Sequence, residues 1–236
     1  MNERIGIAVL CYNSLPDVQA AIASVRAHTA QPYDLVIWDN SDAFHVGTWA
    51  VAQEGLTYIR SPYNLGTCCS RNRLAELFIR RGLSHWVVMD QDVLVIGNGW
   101  VEDMLALFQK YPDTGIVGWK LGYDQMSPKY AIDPTGVVPE TPGLCCMHSA
   151  DCVRAVGGWE PLCFYDRFED TGYCFAAGLK GFKTRLIVGE QKVAHASPHR
   201  GTGSNPRNDV IKAESHKLFM RRTAELGFPR IHGINA

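Results

Sequence analysis

The sequence predicts an α/β fold in which helices flank a mostly parallel sheet, and three observations carry that reading. Short apolar runs alternate with helix-periodic stretches as far as residue 90, the pattern of successive strand–helix–strand units. Two of the runs end in polar clusters, Asp39-Asn40-Ser41-Asp42 and Asp90-Gln91-Asp92, and ligands of such sheets bind outside the carboxyl ends of the strands. Turn formers such as Ser61-Pro62 and Gly82 punctuate the boundaries.

Taken in order, 5–11 is an apolar strand, after which Ser14 and Pro16 supply an N-cap and an early-turn proline. The helix runs to about His28, with Val18, Ala21, Ile22 and Val25 on one face. Strands follow at 35–38 and 56–60, with a weak helix over 46–53 between them. Asn64 and Gly66 turn the chain into a helix carrying Leu74, Leu77 and Phe78, and the strand from His85 runs into the acidic triplet. A helix at 100–111 and a strand at 115–119 come next. Residues 121–143 have no clear period and read as an excursion over the site. A strand at 143–148, a short helix at 150–156, a helix ending near Gly181 and strands at 184–188 and 192–195 complete this part. Residues 197–208 read as a polar flap and 209–226 as a last helix.

Composition excludes several classes. With 236 residues, 46% hydrophobic and 20% charged, the chain suits one globular domain with a real core. Lysine and arginine number 23 against 24 acidic residues, so no global field favours nucleic acid or an anionic membrane. The run at 5–11 is too short for a signal-peptide core, and no run is long enough for a transmembrane segment, so a cytoplasmic protein is expected. The eight cysteines, Cys11, Cys68, Cys69, Cys145, Cys146, Cys152, Cys163 and Cys174, show no Cys-x-x-Cys spacing and read as reduced, buried thiols.

Asp90 and Asp92 carry the most chemistry. Two carboxylates one residue apart at the end of a buried strand repel unless solvent, donors or a cation compensate them. Hard oxygen donors suit Mg²⁺ or Mn²⁺ with a diphosphate completing the shell; a polar turn is the alternative.

Five segments occur in an order and spacing that resemble family 2 glycosyltransferases of the GT-A fold, in the style of rhamnosyltransferase-like members: IAVLCYNS, VIWDNSD, NLGTCCSRNR, VVMDQDV, and GGWEP followed by FEDTGYCFAAGLKGFKT. The resemblance spans roughly residues 4–200 and implies a nucleotide-sugar-binding half over 1–98, an acceptor-side half over 99–208 and a C-terminal helix over 209–236, all in one domain. It implies that Cys11, Tyr12 and Asp39 hold the nucleotide base with Arg71 nearby, and that Asn64 and Gly66 belong to the donor site. Turn, cap or ion-pair roles are the alternatives for these residues. Asp90 would serve the ribose or a water-mediated metal contact and Asp92 the metal directly, with His195 as a further ligand and His199 as its substitute. Asp170, beside Glu169, would be the general base, although a carboxylate at a helix N-terminus also has a purely structural reason to be there. Gly157, Gly158 and Trp159 would underlie the acceptor, the indole offering either a stacking face or core.

The activity so implied is metal-dependent, inverting transfer of one sugar from a nucleotide diphosphate sugar donor to an acceptor hydroxyl. The acceptor could be a glycan, a lipid-linked sugar, a protein or a modified nucleic acid base. The cluster His199, Arg200, Arg207, Lys212, Lys217, Arg221 and Arg222 keeps an anionic partner in view, against the plainer reading of a solvated helix face. The Gln-x-x-Arg-Trp segment of processive synthases is absent. A catalytically silent nucleotide-sugar-binding module is one alternative. A sugar-phosphate nucleotidyltransferase is another, and it would need a glycine-rich basic loop where CYNSLPD stands.

Overall fold

The computed structural model describes residues 3–121, 132–159 and 169–196, together with Lys217 and Arg221. The expected flap, His199, Arg200, Arg207, Lys212, Arg222 and Cys163 lie outside the described residues, as does most of the last helix. Lys217 and Arg221 are exposed helical positions.

Strands β1 (Ile5–Cys11), β2 (Tyr33–Asp39), β3 (Leu56–Arg60) and β4 (His85–Asp90) alternate with helices α1 (Leu15–His28), α2 (His45–Ala50) and α3 (Gly66–Arg80). After β5 (Val93–Val95) come α4 (Trp100–Lys110), β6 (Thr114–Trp119), β7 (Val137–Val138), β8 (Cys145–Ser149), α5 (Ala150–Val156), α6 (Glu169–Leu179), β9 (Lys183–Ile187) and β10 (Val193–His195). The main sheet has eight strands in the order β3-β2-β1-β4-β8-β6-β9-β7. β1 to β4 are parallel, as the alternation predicts. β8 runs antiparallel between β4 and β6, and the two-residue β7 antiparallel to β9. Among its described residues the aperiodic excursion holds one short strand, β7, too brief to leave a pattern.

Both faces of the sheet are covered, which is why β1 is apolar at nearly every position. Ile5, Ile7 and Val9 share one core with Val18, Ile22 and Val25 of α1, whereas Ala8 packs with Leu74 and Phe78 of α3 on the other side. Gly6 is required there, since a Cβ would come 2.6 Å from the Phe78 ring. Ser14 does precede α1, but its side chain does not cap the backbone; its hydroxyl donates to Asp17 Oδ2 at 2.5 Å. Among the described residues, Cys11, Cys68, Cys69, Cys145, Cys146, Cys152 and Cys174 form no disulfide.

The second core ends in an aromatic stack. Trp159 lies on Tyr173 with ring centres 4.0 Å apart, and His148 of β8 meets Trp159 edge-on at 4.9 Å. His148 is 3% exposed and neither ring nitrogen has a hydrogen-bond partner among the described residues, so burial, with Arg71 adding repulsion, pushes its pKa down to about 3. The unfolded chain takes up that proton near pH 6.5. Stability from a neutral His148 is therefore present above pH 6.5 and lost as pH falls toward the folded value, by about 2 kcal/mol at pH 5. Urea unfolding of His148→Phe across pH 5–7 should show a correspondingly flatter acid limb. An unchanged slope would acquit His148.

Candidate active site

The acidic triplet lies where two sheets part. β4 ends at Asp90, the chain turns through Gln91 and Asp92, and β5 then joins β10 in a separate two-stranded ladder that pairs Val93 with His195. That pairing brings Asp92 Oδ2 to 3.0 Å from His195 Nε2, and the Ala196 N–H donates to the Asp92 carbonyl at 2.8 Å. Gln91 locks the turn from the other side. Its Oε1 accepts the Tyr12 N–H at 2.9 Å, and its Nε2 donates to the Tyr12 carbonyl at 3.0 Å. The end of β1 is thereby clamped to the triplet, a role that nothing in the local sequence marks.

The Asp90 N–H donates to the Leu144 carbonyl at 2.9 Å. Burial pushes its carboxyl up to about 7; Arg71 opposes that rise, Asp92 and Glu169 add to it, and His195 opposes it more weakly. These side chains share one electrostatic neighbourhood, although they come from four separate parts of the chain.

Arg71 of α3, expected near the nucleotide base, is 2% exposed and engaged within the protein. Its guanidinium pairs with Asp170 at the start of α6 and donates to the Gly143 carbonyl at 2.9 Å. Beside it, the Asn72 side chain holds the glycine turn: Nδ2 donates to the Trp159 carbonyl and Oδ1 accepts the Trp159 N–H, both at 2.8 Å. Gly158 has φ +96°, and a Cβ there would collide with Asn72. The indole of Trp159 is 2% exposed with Tyr173 stacked on it, so the stacking-face expectation gives way to the core reading.

At the ends of β1 and β2 the expected base-reading groups are turned inward. Asp39 is fully buried, its Oδ1 accepting the Ser41 N–H at 2.8 Å and its Oδ2 the Tyr58 hydroxyl at 2.7 Å. Both oxygens are thus engaged within the protein. Cys11 is 1% exposed, and burial pushes its thiol up to about 12. Tyr12, by contrast, is 47% exposed, with its hydroxyl donating to Asp42 Oδ2 at 3.0 Å. Asn64 Oδ1 accepts the Gly66 N–H at 2.9 Å, and Gly66 has φ +70°, which is turn chemistry at the start of α3. A cavity of about 460 Å³ opens at the amino end of β4, lined by Glu3, His85, Phe108 and Asp151 among others, and none of these site residues lines it.

The donor set fits a hard divalent cation. Asp90 and Asp92 are carboxylates one residue apart, the Asp90 pKa raised first by burial and further by the Asp92 charge, and His195 adds an imidazole already directed at Asp92. Among the described residues no group of three or more His, Cys, Asp and Glu side chains is assembled as a closed metal site. No helix among the described residues is long and apolar enough to cross a membrane.

The same architecture recurs in solved glycosyltransferases. The mannosyltransferase PcManGT from Pyrobaculum calidifontis, in complex with GDP-Man and Mn²⁺, superposes with a TM-score of 0.70 at 16% identity over 92% of this chain and 64% of its own. GalNAc-T7 with UDP, GalNAc and Mn²⁺ gives 0.66 at 13% identity over 82% of this chain and 44% of its own. TarS from S. aureus gives 0.61 at 13% identity over 98% of this chain and 45% of its own. This chain thus spans less than two thirds of the length of each. Comparison with curated protein sequences returns no match. The glycosyl transferase family 2 model matches residues 7–144, more than half of the chain, including most of β1, all of β2 to β4 and the acidic triplet. The sheet is the mostly parallel one of the GT-A fold, and the chain belongs to glycosyl transferase family 2.

Proposed function

We propose that this chain transfers one sugar from a nucleoside diphosphate sugar to an acceptor hydroxyl, with inversion and dependence on Mn²⁺ or Mg²⁺. The observation that carries the reading is the convergence of Asp90, Asp92 and His195 with Glu169 and the Arg71–Asp170 pair. The similar folds that hold GDP-Man or UDP with Mn²⁺ support it.

In this reading Asp92 and His195, with Asp90, hold the cation. When bound, it neutralises the charge that grows on the departing diphosphate. Tyr12, exposed and clamped at its backbone by Gln91, faces the nucleoside. Asp170 accepts the acceptor hydroxyl proton as that oxygen forms its bond to the anomeric carbon. The bond from that carbon to the diphosphate oxygen breaks on the opposite side, and the nucleoside diphosphate leaves. Transfer of a single sugar accords with the missing Gln-x-x-Arg-Trp segment.

Isothermal titration with UDP, GDP and dTDP, in Mn²⁺ and in EDTA, tests the site. One nucleotide should bind in Mn²⁺ and weaken by roughly 100-fold in EDTA. Binding indifferent to metal, or none at all, would sink the proposal. Slow consumption of a nucleotide sugar by water separates an enzyme from a silent binding module.

A further inference from the structure

The Arg71 guanidinium does more than neutralise a neighbour. It is 2% exposed, and its two terminal nitrogens reach different parts of the chain: Nη1 pairs with Asp170, while Nη2 donates to the Gly143 carbonyl at 2.9 Å. The next carbonyl, that of Leu144, accepts the Asp90 N–H at 2.9 Å. One two-residue segment therefore ties the end of β4 to the guanidinium and, through it, to the start of α6. A second tie runs in parallel, since the Thr171 hydroxyl donates to Glu140. Gly143 is the residue this arrangement needs, because a Cβ there would collide with the Asp170 carboxylate.

We propose that Arg71 is a positioning residue for Asp170: it fixes the base on the acceptor side at a set distance from the donor-side carboxylates and does not contact the nucleotide. The inference rests on the reading of Asp170 as the base given above. A planar fork suits the task, since it binds a carbonyl and a carboxylate in one plane and cannot lose its charge. Lysine, a single point charge on a flexible stem, cannot span both acceptors in that fixed geometry.

The test combines three variants with a nucleotide sugar that the wild type hydrolyses, taken from a panel of UDP-glucose, UDP-GlcNAc, GDP-mannose and dTDP-rhamnose. Arg71→Met should lower kcat by about 100-fold, the loss expected when a reacting group is displaced by an ångström. Calorimetric affinity for the matching nucleoside diphosphate in Mn²⁺ should stay within about threefold, since no donor contact is removed. Arg71→Lys should recover part of kcat. In Arg71→Met/Asp170→Asn the loss should be no greater than in Asp170→Asn alone, because a residue acting through Asp170 has nothing left to position. If circular dichroism shows Arg71→Met unfolded, the same cycle is run with Arg71→Lys. Weakened nucleotide affinity with kcat intact, additive losses in the double variant, or an unchanged kcat would each overturn the inference. A wild type that neither binds a nucleotide nor hydrolyses a donor would instead overturn the functional reading beneath it.

Discussion

Asp170→Asn should reduce sugar transfer by roughly 10²- to 10⁴-fold, the contribution of a positioned general base. Asparagine keeps the size of the side chain and leaves an oxygen for the Arg71 guanidinium, so α6 stays docked on the 140–144 segment. What is lost is the ability to take a proton. Glu169 is no substitute, since its charge bears on Asp90 and the ion pair with Arg71 is made by Asp170. Nucleoside diphosphate affinity should hold within about threefold, because the nucleotide is bound before any proton moves. Initial rates over a range of acceptor concentrations, with calorimetry in parallel, decide the matter. If transfer persists at more than about a tenth of the wild-type rate, the base lies elsewhere.

Asp92→Asn should produce the opposite split. The variant removes the carboxylate that faces His195 at 3.0 Å and leaves the imidazole without its anionic partner. A cation held there loses a charged ligand, and binding of a nucleoside diphosphate in Mn²⁺ should weaken by roughly 10²-fold, with turnover falling further. In EDTA the variant and the wild type should bind equally weakly. That convergence separates loss of a metal ligand from general damage to the site, which would depress affinity in both conditions. Retained Mn²⁺-dependent affinity in Asp92→Asn would remove the residue from the metal site.

Much of the parallel block β1 to β4 was legible because its signals are local. Strands β1 and β3 appear as apolar runs bounded by turn residues, and the buried face of α1 recurs at helical spacing in Val18, Ala21, Ile22 and Val25. The strand from His85 reads as ending at the acidic triplet, whereas the chain resumes beyond it as β5 in a second sheet, because the partner of β5 is β10, distant in sequence. The same limit applies to side chains. Asp39 at a strand end has Tyr58 and Ser41 against its two oxygens, and Arg71 has Asp170 and Gly143 against its guanidinium, partners that no spacing in the sequence announces. Trp159 similarly needed Tyr173 to reveal it as core. Spacing indicates which residue types meet a strand end; long-range packing decides which of them keep a free face.

The reversed strand β8 has a consequence for the order in which the protein becomes competent. Because it enters the sheet antiparallel between β4 and β6, its incoming end rather than its outgoing end arrives beside Asp90. Gly143 and Leu144 are brought to the acidic triplet only when β8 is zipped into a gap between strands that are themselves separated by β5 and α4 in sequence. Closing such non-local pairings carries a loop-entropy penalty and comes late in folding. The parallel block β3-β2-β1-β4 needs no residue beyond β4 for its own ladders. The ladders of that block can therefore form before the gap beside Asp90 is filled, so the proposed nucleotide side is expected to assemble ahead of the proposed acceptor side.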